Sequence, residues 1–216
     1  MIAVIDYGMG NLRSVQKALE KVGLDARITR SQQNIADAAA VVLPGVGAFR
    51  DCMANLDRLN LIEPVKTAIS KGKPFIGICL GLQVLFSESE EFGICEGLNI
   101  FSGRVVRFPD DMKDPEAKSD NEPRLKVPHM GWNRINQRKD AAPLKDIPGG
   151  SYFYFVHSYH VVPKDKSIVA TSTDYGLEFV SSIVRDNVFA CQFHPEKSQQ
   201  AGLKLLKNFG EMLNGK

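Results

Sequence analysis

The stretch Pro74-Phe75-Ile76-Gly77-Ile78-Cys79-Leu80-Gly81-Leu82-Gln83-Val84-Leu85-Phe86 constrains the fold more than any other part of the chain. Phe75, Ile76 and Ile78 read as a strand buried on both faces, as in a parallel sheet, whereas Leu82, Leu85 and Phe86 recur at helical spacing. The change of period falls on Gly77-x-Cys79-x-Gly81, a cysteine version of the strand-turn-helix elbow that presents a nucleophile. Such a tight turn brings backbones together, so glycines suit the positions flanking the projecting Cys79 side chain. A helix N-terminus beneath the sulfur favours thiolate over thiol. The Leu80 N–H is placed to meet a developing oxyanion. A lone cysteine closing an apolar strand is otherwise an ordinary small buried hydrophobe, so nucleophilic chemistry needs a base and an orienting acid elsewhere.

Around this turn the chain alternates strand and helix patterns. Residues 2–6 read as a first strand. Asn11 then caps a helix with Leu12, Val15, Leu19 and Val22 on its apolar face, ended by Gly23. Gly8-Met9-Gly10 invites a dinucleotide reading, but Arg13 stands in place of the third glycine and no acidic residue ends the next strand, so NAD is rejected. Strands follow at about 24–29 and 40–43, the latter running into Pro44-Gly45-Val46-Gly47. There the two glycines leave backbone amides exposed at the edge where open α/β sheets bind ligands. Helical spacing through Phe49, Met53, Leu56 and Leu59, and a further helix at 62–71, return the chain to Phe75. These features predict an α/β fold, a doubly wound and mostly parallel open sheet with helices on both faces.

Beyond residue 97 short β patterns appear at 98–108, 152–162, 167–173, 177–185 and 188–193, an antiparallel extension of the same sheet in the C-terminal half. A final helix spans 198–213. Residues 109–124 have almost no apolar content and are expected to form a mobile surface loop. At 216 residues the whole chain is expected to be one domain, burying about 70% of its unfolded surface. The net charge of +2 is spread over both signs with no Lys/Arg cluster among aromatics, which argues against nucleic acid. Nothing resembles a signal peptide or a membrane span, so the expected compartment is the cytosol and no membrane partner is expected. Cys52, Cys79, Cys95 and Cys191 have neither C-x-x-C nor zinc spacing; reduced thiols, no metal and no cofactor are expected.

The base and acid are found after the strand Val188-Phe189-Ala190-Cys191-Gln192-Phe193, in His194-Pro195-Glu196. A residue before proline is extended, so the strand direction should hold to its end, with alternate side chains on one side about 6.6 Å apart. Glu196 can then fix the tautomer of His194 while the other ring nitrogen acts as base. His-x-Glu alone is ordinarily a surface ion pair. Combined with Gly77-x-Cys79-x-Gly81 and a glycine-rich strand end it points to nucleophilic catalysis. An α/β cysteine hydrolase or peptidase, and a binding subunit with a vestigial triad, are the competing readings.

Pro44-Gly45-Val46-Gly47, Gly77-Ile78-Cys79-Leu80-Gly81-Leu82-Gln83 and Phe193-His194-Pro195-Glu196-Lys197 resemble the class I (triad) glutamine amidotransferases. Residues 6–12, Pro128-His129-Met130-Gly131-Trp132-Asn133 and 154–159 are similar to the branch of that family serving as glutaminase subunits of imidazole glycerol phosphate synthases. The resemblance runs from the first strand to the last helix. It implies Cys79, His194 and Glu196 as the triad, and oxyanion amides from Leu80 and the segment Gly45, Val46 and Gly47. It further implies that Gln83 and the Ser158-Tyr159 backbone hold the amino-acid end of L-glutamine. The implied partner is a cyclase subunit of (β/α)8-barrel type in a heterodimer, with Asn11, Trp132 and Lys197 as candidate docking residues. A related glutaminase serving another acceptor synthase is the nearest alternative. His157 and His160 are expected to be structural.

Overall fold

The computed structural model describes residues 1–113 and 124–213. Its first half contains β1 (Ile2–Ile5), α1 (Leu12–Lys21), β2 (Ala26–Thr29), α2 (Gln32–Asp37), β3 (Ala40–Gly45), α3 (Phe49–Arg58), α4 (Ile62–Ser70), β4 (Phe75–Cys79) and α5 (Leu80–Gln83). There follow β5 (Phe86–Ser89), β6 (Cys95–Glu96), β7 (Phe101–Arg107), β8 (His129–Arg134), β9 (Asn136–Gln137), β10 (Tyr152–His157) and β11 (Tyr159–Pro163). The chain closes with β12 (Val169–Asp174), β13 (Glu178–Arg185), β14 (Val188–Cys191) and α6 (Gln199–Glu211).

The described residues form one 12-stranded mixed sheet and a two-stranded ribbon of β8 and β10. In the large sheet β2, β1, β3, β4 and β14 lie side by side and parallel. From β14 onward β13, β11 and β7 add antiparallel. β5 then pairs parallel with β7, and β6 closes that edge. This is the expected doubly wound arrangement with its antiparallel extension.

The central strands are buried on both faces because helices cover both. Val41 and Leu43 of β3 join Leu56 of α3 and Val65 of α4 in one core. Their neighbours Ala40 and Val42 join Leu19 of α1 and Phe209 of α6 in the other. The period-2 alternation thus sorts each strand between two helical layers.

Several expectations need correction. Asn11 occupies the cap position of α1 but its side chain makes no capping bond. The helix after Cys79 is only Leu80–Gln83, and Phe86 starts a strand. The returning loop takes the carbonyls that a longer helix would need: Leu98 N–H binds the Val84 carbonyl (2.7 Å) and Ile100 N–H the Leu85 carbonyl (2.9 Å). The apolar run 152–162 breaks at Ser158 into strands of different sheets, β10 on β8 and β11 on β7. Helix α2 went unpredicted; Ser31 caps it by accepting from Asn34 N–H. Of the segment 109–124, residues 114–123 lie outside the described residues, while Met112 is buried against the core. No helix among the described residues is long and apolar enough to cross a membrane.

The elbow is a very close backbone crossing. A Cβ on Gly81 would stand 1.9 Å from the Leu43 carbonyl oxygen, and one on Gly77 2.6 Å from the Gly81 carbonyl oxygen. Backbone cannot yield as a side-chain tip can, so Gly81→Ala is expected to cost about 3 kcal/mol or more, the upper end for overpacking. Urea denaturation measures it; a loss below about 1 kcal/mol would show the crossing to be slacker than described.

Candidate active site

The site is built where β4 ends between two parallel neighbours. Gly45 of β3 stands in register with Cys79, and Cys191 of β14 with Ile78 on the other side. Cys79 itself adopts φ 55° and ψ −106°. A non-glycine residue there is strained by about 1–3 kcal/mol and persists only when its surroundings over-determine it. The packed glycines do so. The side chain is thereby aimed into a cavity of about 270 Å³ whose walls include Val46, Gly47, Leu80, Gln83, Ser158 and Tyr159. Gly45 does not line it; a Cβ there would strike Leu80 Cβ at 2.7 Å and the Tyr7 hydroxyl at 2.8 Å, so this glycine lets the floor close.

His194 reaches the same cavity from the end of β14. The ribbon strand β10 pins its backbone: His194 N–H donates to the Tyr154 carbonyl (2.9 Å), and the Ser198 hydroxyl donates to the His194 carbonyl (2.6 Å) while accepting from Tyr154 N–H (3.0 Å). The strand does not continue through Glu196, as the pattern suggested. Pro195–Lys197 form a 3-10 turn closed by Lys197 N–H on the His194 carbonyl at 3.0 Å. That turn brings the carboxylate back, with His194 Nδ1 2.7 Å from Glu196 Oε1 and both side chains almost wholly buried. A carboxylate acceptor holds the proton on Nδ1. Nε2 has no hydrogen-bond partner of full geometry and lies beside Cys79. Burial pulls the imidazole's pKa down, but the charge of Cys79 and its hydrogen bonding, then Glu196, overcome it and raise it to about 10.

A polar chain surrounds the sulfur. The Gln83 amide nitrogen donates to the Tyr159 carbonyl and to Gln192 Oε1, both at 3.0 Å. Gln192 Nε2 donates to Cys79 Sγ at 3.5 Å. His157 is buried on the cavity wall, its Nδ1 2.8 Å from the Tyr159 carbonyl and its Nε2 3.1 Å from His129 Nδ1. Burial and the neighbouring His129 keep His157 well below the usual imidazole range, and burial lowers His129 to about 4. His160 packs against Phe108 in the aromatic core. Glu91 also lines the cavity, its Oε2 accepting from the Phe49 N–H at the start of α3 (2.7 Å).

Gln192 and Glu91 escaped the sequence reading. Gln192 lies in an apolar run that reads as core, and Glu91 follows a strand that helical spacing had hidden. Of the candidate docking residues, Trp132 is 46% exposed and packs edge-on to Tyr154, over whose ring Lys197 also sits at 5.5 Å. Asn11 is apart from the cavity, at the start of α1, which packs beside the Pro195–Lys197 turn. Among the described residues no group of three or more His, Cys, Asp or Glu could hold a metal ion.

Because the Glu196 charge helps to hold the proton on His194, Glu196→Gln should lower the ring's titration midpoint from about 10. NMR titration of the His194 ring protons measures this directly. An unchanged midpoint would mean that the carboxylate only positions the ring.

The family model for class-I glutamine amidotransferases matches residues 3–212. The chain is 57% identical to imidazole glycerol phosphate synthase subunit HisH of Syntrophotalea carbinolica, over 98% of this chain and 100% of that protein. It is 53% identical to the subunit of the same name from Aquifex aeolicus, over 95% of this chain and 94% of the relative. Among solved structures, PurLQS from Thermotoga maritima superposes with TM-score 0.72 at 18% identity, covering 98% of each chain. A structure described as a glutamine amidotransferase gives TM-score 0.71 at 16% identity over 99% of this chain and 100% of that one. At those identities the last two speak for the fold alone.

Proposed function

The chain belongs to the class-I glutamine amidotransferases, and from that membership we propose that it is the glutaminase subunit of an imidazole glycerol phosphate synthase, an enzyme of histidine biosynthesis. It hydrolyses L-glutamine to glutamate and ammonia through a cysteinyl thioester and passes the ammonia to a cyclase subunit. The observation that carries the chemistry is the meeting of Cys79 and His194 in one small cavity, with Glu196 fixed behind the imidazole.

In the proposed reaction the Cys79 thiolate attacks the carboxamide carbon of glutamine, forming the C–S bond and moving the carbonyl π pair onto oxygen. The Leu80 amide and one amide of the Gly45-Val46-Gly47 segment meet that oxyanion, each such donor being worth about 3 kcal/mol. His194, protonated through its raised pKa, gives its Nε2 proton to the departing nitrogen, and the C–N bond breaks to release ammonia. The now neutral imidazole takes a proton from water as it attacks the thioester, and glutamate leaves as the thiol re-forms.

At the amino-acid end, Gln83 and the Ser158-Tyr159 backbone face the cavity, and Glu91 supplies a carboxylate for the α-ammonium group. A cavity of about 270 Å³ suits one free amino acid better than a peptide. The cyclase partner is proposed to be a (β/α)8 barrel bound as a heterodimer, with Trp132, Lys197 and Asn11 on or beside the docking face. The cytoplasm is the proposed location, where unpaired thiols such as the four free cysteines are the default.

Two measurements test this reading. Reconstituted with the cyclase, Cys79→Ala should release no glutamate from glutamine yet make imidazole product when ammonia is supplied; retained glutaminase activity would sink the assignment. Glu91→Gln should raise KM for glutamine about tenfold or more with a smaller change in kcat, the loss of one charge-assisted contact. An unaltered KM would remove Glu91 from the substrate pocket.

A further inference from the structure

The donors around the nucleophile form a chain whose direction is fixed by a single group. The Tyr159 carbonyl oxygen can only accept. The Gln83 side-chain atom 3.0 Å from it is therefore the amide nitrogen, and reversing that amide would set two oxygens against each other. The same nitrogen has one further N–H, directed at the Gln192 side chain at 3.0 Å, so Gln192 must present its oxygen there. With its oxygen turned to Gln83, Gln192 can only present NH2 to Cys79 Sγ, 3.5 Å away. The carbonyl is itself held from the other side by His157 Nδ1–H at 2.8 Å. That bond leaves His157 Nε2 to accept from His129 Nδ1–H, and His129 Nε2 to accept from Asn133 at 3.2 Å. Each link has one permitted polarity: the histidine arm ends by donating to the Tyr159 carbonyl, and the Gln83 and Gln192 amides carry the donation on to an N–H aimed at sulfur.

We propose that Gln192 is a catalytic residue of the glutaminase reaction: its side-chain amide donates to Cys79 Sγ and stabilises the thiolate, in an orientation imposed by Gln83 and the Tyr159 carbonyl. An amide has no charge to lose, so this stabilisation persists whether His194 is protonated or neutral. That matters when sulfur is expelled in the second half of the reaction, where the amide adds to the imidazolium regenerated by proton uptake from water. The Gln192 side chain is wholly buried, so no solvent molecule replaces the bond if the amide is removed. The proposal rests on Cys79 being the nucleophile, and its test is a property of the sulfur that needs no turnover.

The measurement is the pH dependence of iodoacetamide alkylation at Cys79, followed on the Cys79 peptide by mass spectrometry so that the partly exposed Cys95 does not interfere. The titratable groups around the sulfur are His194 with Glu196 behind it, Cys191 and Tyr7, with His157, Tyr159 and Glu91 on the wall of the same cavity. All remain in Gln192→Met and Gln192→Leu, which lack the donor. In both variants the alkylation midpoint should rise by roughly one pH unit, the worth of one hydrogen bond to a charged group, and kcat should fall about tenfold. In the unaltered protein the Gln192 side-chain amide resonances should move with the same midpoint as Cys79 alkylation. That second measurement decides the matter even if neither variant folds. An unchanged midpoint in a folded variant, with or without loss of activity, would reduce Gln192 to packing and overturn the proposal, as would amide resonances indifferent to the state of the sulfur. Glutamine turnover by Cys79→Ala would instead overturn the nucleophile assignment itself, so the two failures are distinct.

Discussion

Everything in this structure hangs on how closely three backbones pass one another at the end of β4. Gly81 runs against the Leu43 carbonyl, Gly77 against Gly81, and Gly45 against Leu80 and Tyr7, each at a separation that leaves no room for a Cβ. These contacts hold Cys79 at a positive φ that its own side chain disfavours. They also leave the sulfur with one exit, into the cavity between the strand ends. The strain is local, and the two helical layers that clamp the parallel strands supply the packing that maintains it.

Topology does the rest of the assembly. β14 is the parallel neighbour of β4, so the residue following its last turn necessarily emerges beside the elbow, although the chain between them includes the antiparallel half of the sheet. The ribbon of β8 and β10 then determines the angle at which His194 arrives, through the Tyr154 and Ser198 bonds to its backbone. Polar groups that would be costly to bury alone are linked in two directed arms that meet at the Tyr159 carbonyl, one from Asn133 through the histidine pair and one from Gln83, which also donates onward through Gln192 to the sulfur. Two imidazoles kept neutral by burial act there as donors and acceptors of fixed sense, while the third, beside the sulfur and the carboxylate, is held protonated. One protein thus gives the same side chain opposite roles by choosing its neighbours.

Much of this was legible in the residues because it rests on local rules. The change from strand to helix period at Gly77-x-Cys79-x-Gly81 marks the elbow, and Pro44-Gly45-Val46-Gly47 marks a strand end with exposed amides. His194 and Glu196 are close enough in sequence to be paired by inspection. Even so, the pairing arises differently from the simple reading: a 3-10 turn after Pro195, not a continuing strand, returns the carboxylate to the ring. What stayed hidden depends on contacts distant in sequence. The length of the helix after Cys79 is set by amides of residues 98 and 100 that compete for its carbonyls. The break at Ser158 is set by which strands lie on either side. Gln192 looks like one more residue of a buried strand until Gln83 and Cys79 are seen on either side of it.

The central claim is that the sulfur at the elbow forms a bond to substrate while the imidazole beside it handles protons. Rapid acid quenching of the cyclase-bound enzyme turning over isotopically labelled glutamine, followed by peptide mass spectrometry, tests it most directly. A labelled glutamyl group on the Cys79 peptide, formed with release of ammonia and lost again as glutamate appears, is the predicted result. Label on another residue, or glutamate formed at full rate with no adduct at Cys79 at any time, would contradict it.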